Sequence, residues 1–532
     1  MKTTTQSIAA ILAMALLTTL SPAQEQKKPL KVYILAGQSN MTGMVSMSTL
    51  EHLKMFPKTA EEFKDLFDQG GKPVELDDVY VSQWKGKDSG KLAPRFGGGK
   101  GVRFGPDYPF GVYAHKALNE PVLIIKTSEG GKSLNYHFRP PSAGTWTPPP
   151  GHPDLIKKAD LPPPPKLPIP EKLDLPDDYT PGKDVELTRK HMGLVGFKGA
   201  ALGKFNGVSP IYVMSAPRQA LKGDPFQQGD LILGVDGSGL RDDPIQHWRD
   251  AFYGSSSIDG DWMITVTLWR KGKIETFDFD ICDTIEGGRA KLPVQIESMK
   301  QAALAKEKLT GGYYRDMILH TKTVLADIKQ YYPAYDASAG YELAGFVWFQ
   351  GYNDYVDGGT YPNRDKPRGY EQYSWLLENF IRDIRKDLDV PKLPFVIGVM
   401  GVGGDQDPAT DQLGYFQQAQ AAVAQEPEFK ETVANVRTGK YWDYELEALD
   451  IKSREIGSKM NELKEQGLEG AALKTAYAEY RAKHITPQEE EIIKKGMSNA
   501  GYHYLGSAKI MCGLGKAFAE AMLQLQNKMS EK

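Results

Sequence analysis

Cysteine is almost missing from this chain: Cys282 and Cys512 are the only two in 532 residues. They stand far apart in different predicted units, so a disulfide scaffold is excluded and two free, buried thiols are expected. No Cys/His spacing suits a zinc site. Charge of one sign is also missing. The formal net charge is -3 and no dense basic cluster occurs, which removes the electrostatic footprint of a nucleic-acid or anionic-membrane binder. Long apolar runs are scarce. The longest, Ile8 to Leu20, follows Lys2 and precedes the small residues Ser21-Pro22-Ala23. It is too short to span a bilayer comfortably and has the layout of an export signal. The reading is a signal peptide over 1–23, a periplasmic or secreted mature protein, and no membrane insertion after cleavage.

The rest of the chain is well supplied for folding. It is 40% hydrophobic and 25% charged, enough for a sizeable core, and its length suggests about two to four domains. Between 28 and 146, strand and helix signals alternate. Val32–Ala36 reads as a buried strand, Phe110–Leu118 as a helix, and Pro121–Lys126 as a second buried strand. Alternation of this kind predicts a parallel sheet with helices on its faces. A proline-rich stretch, 147–185, then excludes helix and central strand and reads as an extended linker. Residues 186–285 look different: short strands, one small helix over Asp243–Phe252, and a hairpin over Trp262–Ile281 turning at Lys271-Gly272-Lys273. The α/β pattern resumes over 290–526. It carries a helix over Met317–Ile328, strands at Phe346–Phe349 and Pro394–Gly401, and a helix over Tyr373–Leu388. A charged helical hairpin follows over 445–495, broken near Gly467, and a closing helix over Gly506–Leu525. One α/β domain is thus split by an inserted module.

The chemistry sits at strand ends. The strand KVYILA runs into Gly37-Gln38-Ser39-Asn40-Met41 and stops. Ser39 there is either the N-cap of the next helix or a nucleophile at the carboxyl edge of the sheet, where open α/β folds place their sites. Two more stretches add polar turns: Arg103-Phe-Gly105-Pro106, and Phe346-Val-Trp-Phe-Gln350-Gly351-Tyr352-Asn353-Asp354. A Gly105 amide and side-chain amides at Gln350 and Asn353 suit an oxyanion. Of nine histidines, His503 is best placed as general base, in an irregular turn before the last helix, with His137 second. Tyr136, Trp146 and Tyr352 are aromatic candidates for lining a cleft, with core packing the alternative.

Together, Gly-Gln-Ser39-Asn-Met, Gly105-Pro106, Gln-Gly-Tyr-Asn353-Asp354 and His503 resemble the SGNH hydrolases. More narrowly they resemble the carbohydrate-esterase branch of sialate O-acetylesterases and acetyl xylan esterases. The resemblance implies a flavodoxin-like three-layer α/β/α fold with a parallel sheet. It implies Ser39 as nucleophile, His503 as base, and an oxyanion hole from Ser39, Gly105 and the Gln350/Asn353 turn, with no metal and no cofactor. The implied activity is removal of O-acetyl groups from a carbohydrate. The sequence departs from the branch twice. Tyr352 replaces a glutamate often found there, and Ala500 stands where an aspartate often precedes the histidine. Asp354 is the candidate third member, with Asn499 as a neutral orienter of the imidazole. The inserted module resembles a PDZ domain through Gly229-Asp-Leu-Ile-Leu-Gly-Val-Asp-Gly237. Met192–Phe197 stands at its carboxylate loop, which implies capture of a peptide C-terminus. The alternative is a non-catalytic carbohydrate- or peptide-binding protein with a degenerate site.

Overall fold

The computed structural model describes residues 28–84, 88–146, 166–173, 175, 190–192, 197–205, 207–215, 225–241, 243–245, 247–249, 251, 263–281, 308–406 and 409–531. The export signal, His152, Cys282 and the proposed carboxylate loop at 193–196 lie outside them. The chain forms two compact units: Met1–Gly144 with Gly311–Lys532, and Thr145–Thr310.

The first unit is built on a seven-stranded sheet. Its strands are β1 (Leu30–Gly37), β2 (Leu76–Gln83), β3 (Ser89–Leu92), β4 (Val122–Ser128), β5 (Tyr341–Phe349), β6 (Phe395–Val399) and β7 (Val433–Arg437). The spatial order is β7-β6-β5-β1-β4-β2-β3. Every pairing is parallel except the edge pair β2–β3. β1 sits between strands from the two ends of the sequence, pairing Leu35 with Val347 on one side and with Lys126 on the other.

Alternate residues of each strand enter opposite cores, as the two-residue period of a strand requires. Tyr33, Leu35, Ile124, Val347 and Val396 face one core, shared with helices α2 (Asp107–Leu118) and α9 (Ala508–Ser530). Val32, Ile34, Ile125, Trp348 and Ile397 face the other, shared with α3 (Gly312–Ala326), α4 (Glu371–Asp387) and α5 (Gln412–Ala422). Both faces are therefore covered, which explains why β1 and β4 read as continuous apolar runs. Buried Cys512 is a free thiol in the first of these cores.

Three strands escaped the sequence reading. β2 begins with exposed Asp77 and Asp78, β3 is a four-residue edge, and β7 carries Asn435 and Arg437. None shows a clean alternation. The charged arm also differs: it is three helices rather than two, α6 (Tyr444–Glu465), α7 (Gly470–His484) and α8 (Pro487–Gly496). The third starts at a capping box in which Thr486 and Glu489 bond each other's backbone amides.

The second unit holds an antiparallel sheet. Its path runs Lys273–Asp280, Met263–Arg270, Leu231–Val235, Ile211–Ser215, Lys198–Ala201, Lys190–His191, with Ser238–Gly239 beside Leu231–Val235. Two tight turns carry left-handed backbone, Asp236-Gly237 and Lys271-Gly272, the pattern that joins strands by two residues. Arg270 and Asp230 form a largely buried ion pair at 2.6 Å. Residues 166–173 pack on this sheet: Ile169 and Leu173 join an apolar cluster with Leu231 and Trp269, and Gly239 N donates to Leu167 O at 2.8 Å. This part of the predicted linker belongs to the unit.

Candidate active site

β1 ends at Gly37, whose left-handed backbone (φ 151°) brings its Cα against the carbonyl of Phe349 on β5. A side chain there would meet Phe349 O at 2.1 Å, so only glycine permits the approach. The chain then makes one helical turn, α1 (Ser39–Thr42). Gln38, not Ser39, occupies the N-cap position, and no side chain caps the turn. Ser39 is 7% exposed, and among the described residues neither its Oγ nor its backbone N–H has a protein partner. Of the two roles the sequence left open for Ser39, capping is removed by the structure.

Strand β1 lies at the topological switch point: the strands that follow it, β2 to β4, lie on one side and β5 to β7 on the other. Open α/β folds build their sites where the loops that follow such strands diverge. Gly130, after β4, faces Ser39, with room for a methyl group at 3.6 Å from the Ser39 Cβ. Gln350–Asp354 follows β5.

Beneath α1 is a group the sequence reading missed. Lys126 Nζ, 1% exposed, donates to Thr42 O (2.9 Å), Phe96 O (2.6 Å) and Asp107 Oδ1 (2.5 Å). Asp107 is fully buried; burial pushes its carboxyl up, while Lys126 and the backbone N–H groups of Asp107 and Gly105 pull it down. A charge pair removed from water is tolerable only when further hydrogen bonds complete it, and here they hold the far end of the Ser39 turn. One sequence signal was available: a lysine in an otherwise apolar strand. Gly105 packs tightly beside this turn, since a side chain on it would meet Met41 O at 2.8 Å. Gly105 thus supplies the close approach of this segment to the Ser39 turn.

The turn after β5 divides its polar groups sharply. Asp354 is fully buried and its carboxylate accepts from Leu134 N (2.8 Å), Asn135 N (3.0 Å), Gln350 Nε2 (2.6 Å) and Tyr361 OH (3.0 Å). Burial pushes its carboxyl up to about 6 against the pull of these donors. None of its partners is His503, which corrects the placing of Asp354 as third catalytic member: its lone pairs are engaged in holding the 134–135 loop. Gln350 is corrected for the same reason. Its Nε2 donates to Gln38 Oε1, Lys132 O and Asp354, leaving nothing for an oxyanion. Gln38 Oε1 also accepts from Gly351 N and Asn353 N, so the turn is laced to the Ser39 turn. Asn353 is different: half-buried, with a side-chain amide that has no protein partner among the described residues.

His503 sits in a kinked stretch, Gly501–Gly506, in which Tyr504 (φ 52°), Leu505 (φ 60°) and Gly506 (φ 59°) are all left-handed. For Tyr and Leu this costs roughly 1–2 kcal/mol each. The surroundings hold it. Buried Tyr504 OH accepts from Gly401 N at 2.8 Å and bonds Thr438 at 2.6 Å. Leu505 O accepts from Ser498 N and Asn499 N. Two contacts tie the stretch to the Ser39 segment: Asn40 Nδ2 donates to Tyr502 O (3.2 Å) and Ser46 N donates to Ser498 Oγ (3.0 Å).

The histidine's partner is Asn499. His503 Nδ1 lies 3.0 Å from Asn499 Oδ1. That oxygen also accepts from Ala500 N (2.9 Å), while Asn499 Nδ2 donates to Met44 O (3.4 Å). Since Oδ1 only accepts, Nδ1 of the neutral ring must carry the proton, and Nε2 keeps its lone pair. Burial lowers the affinity of His503 for a second proton, and the Arg103 guanidinium lowers it further. Arg103 shares Met44 O with Asn499 through its Nη1 (2.6 Å). His137, the second histidine candidate, is held by Ser133 N (3.0 Å) and Ser133 Oγ (3.1 Å).

The sequence was compared with known proteins. The family model described as "carbohydrate esterase, sialic acid-specific acetylesterase" matches residues 301–440. This span contains Gln350, Asn353 and Asp354, and leaves Ser39 and His503 outside. Among solved structures, the chain is similar to a protein of Arabidopsis thaliana at 11% identity and TM-score 0.35, over 93% of this chain and 98% of that one. It is also similar to a carbohydrate acetylesterase of Xanthomonas citri at 8% identity and TM-score 0.27, over 76% of this chain and 49% of that one, about half its length. No curated protein matches the sequence. The family match supports an esterase role for this α/β protein.

Proposed function

We propose that this protein is an exported serine esterase of SGNH type that removes O-acetyl groups from carbohydrate. The observation that carries the reading is Ser39, unpartnered at Oγ and N–H, tied through Asn40 to the loop whose His503 presents a free Nε2. Ser39 Oγ attacks the acetyl carbonyl carbon and gives its proton to His503 Nε2. The oxyanion forms against the Ser39 N–H and the free Asn353 amide, two donors that need no rearrangement. His503 then protonates the departing sugar oxygen, and the C–O ester bond breaks to leave acetyl-Ser39. Water, deprotonated by His503, attacks that acetyl group and releases acetate. Asn499 takes the orienting role that an aspartate often holds, keeping the imidazole in the productive tautomer without a charge.

Hydrolysis of p-nitrophenyl acetate by wild type, Ser39→Ala and His503→Ala tests this. Both variants should lose nearly all activity. Equal hydrolysis by Ser39→Ala would remove the nucleophile assignment. Acetate release from a panel of acetylated polysaccharides would identify the sugar.

Two further proposals concern the rest of the chain. Export rests on the signal-like run Ile8–Leu20 and is checked by fractionating cells that express the full chain. A PDZ-like role for the second unit rests on its antiparallel sheet and on Gly229–Gly237, and is checked with a library of free C-terminal peptides.

A further inference from the structure

The exposed aromatic surface next to His503 has no part in the chemistry just described. Tyr502 is 46% exposed, although its backbone is fixed by the Asn40 contact on its carbonyl. Its ring meets the His503 ring edge-on, with centroids 4.5 Å apart. It also meets Tyr352, with ring centroids 5.7 Å apart and planes inclined by 36°. Tyr352 in turn touches Tyr355 at 6.1 Å, and Tyr355 rests on buried Phe416 at 5.8 Å. A row of rings thus leads from the core to the catalytic base. Among the described residues, neither the Tyr352 nor the Tyr502 hydroxyl has a protein partner. Tyr352 also adjoins Asn353, the free oxyanion donor, so the row borders the reacting groups on two sides.

We propose that Tyr352 and Tyr502 form a platform on which the pyranose ring of the acetylated substrate stacks, with its ester directed at Ser39. This rests on the esterase reading and names its substrate class. One face of a pyranose is a patch of C–H groups, and it packs on an aromatic face. Its rim of hydroxyls matches the polar tips that tyrosine offers at the edge of an apolar surface. Ligand sites pair such apolar walls with a few placed polar groups; here the groups are two free phenols and the Asn353 amide.

Three measurements on the full chain test the platform. The first compares an O-acetylated methyl xyloside with butyl acetate, an ester without a ring. Tyr352→Ala and Tyr502→Ala should raise KM for the xyloside ester about tenfold, a 1.4 kcal/mol loss of binding, and change kcat/KM for butyl acetate less than threefold. A parallel loss on both esters, or an unchanged KM on the xyloside, overturns the proposal. The second uses Tyr352→Phe and Tyr502→Phe, which keep the face and remove the phenol. They should retain most of the xyloside affinity, and a loss as large as that of the alanine variants overturns stacking. The third is calorimetric titration of xylotriose, cellotriose and mannotriose into the Ser39→Ala protein. At least one should bind, and the same sugar should fail to bind when either tyrosine is also changed to alanine. Binding by none overturns the platform. Binding that depends on the tyrosines in a protein whose Ser39→Ala form still hydrolyses esters would keep the platform and remove the nucleophile assignment.

Discussion

Ser39 and Asp354 follow neighbouring strands, β1 and β5, and both are buried polar residues next to a glycine-bearing turn. Their surroundings are opposite. Ser39 Oγ has no protein partner, whereas the Asp354 carboxylate has four donors. The difference separates two jobs that look alike in a sequence. A polar group whose bonding capacity is filled is part of the framework, and changing it disturbs the fold. One left free at the mouth of a crevice has capacity to spare for a substrate. Saturation, more than burial or residue type, divides the polar turns of this site into scaffold (Gln38, Gln350, Asp354) and candidate chemistry (Ser39, Asn353, the Nε2 of His503).

The contrast can be broken by mutation. The largest effect is expected for Ser39→Ala: a fall in esterase activity of about 10⁴-fold or more, the scale on which nucleophile removal acts, with a thermal midpoint within a degree or two of wild type. Asp354→Ala should do the reverse. Leaving buried donors unpaired costs about 1–3 kcal/mol each, so a stability loss on the order of 3 kcal/mol or more should appear in urea unfolding. Any loss of activity should follow the folded fraction. A fully stable, inactive Asp354→Ala protein would restore Asp354 as a catalytic residue.

Asn499→Ala should cost less, roughly 10–100-fold in kcat, because His503 would lose the acceptor that selects its tautomer; kcat within twofold of wild type would show that the orienter lies elsewhere. The smallest effect is expected for Arg103→Gln. Both burial and Arg103 depress the protonation of His503, so the acid limb of kcat/KM for wild type should fall below the ordinary histidine value of about 6.5. Removing the guanidinium lets the imidazole hold its proton to higher pH. The acid limb should then move upward by a fraction of a pH unit, and a downward or absent shift in the pH–rate profile would contradict the electrostatic link.

Much of the framework could be read from local pattern. β1, β4, β5 and β6 are dense apolar runs because both faces of a helix-covered parallel sheet are dry. α4 shows helical periodicity because one side faces Phe346 and Phe395 while the other meets water. β2, β3 and β7 were hidden because edge-side strands with exposed charges break alternation. The third helix of the arm was hidden because its evidence is a capping box of four residues, not a long period.

The candidate site divides in the same manner. Ser39, Asn353 and His503 were legible because each sits at a chain punctuation, a strand end or an irregular turn, with a residue type suited to acyl transfer. The sequence by itself determined those positions, the α/β layering and the absence of an aspartate before His503. Only tertiary structure decided their partners. Asn499 and Met44 are 455 positions apart, Leu134 and Asp354 220 apart, and no spacing rule reaches across such distances. The sheet brings β1, β4 and β5 side by side, so Gln350 and Asp354 spend their hydrogen-bonding capacity on neighbours remote in sequence, while Ser39 and Asn353 keep theirs.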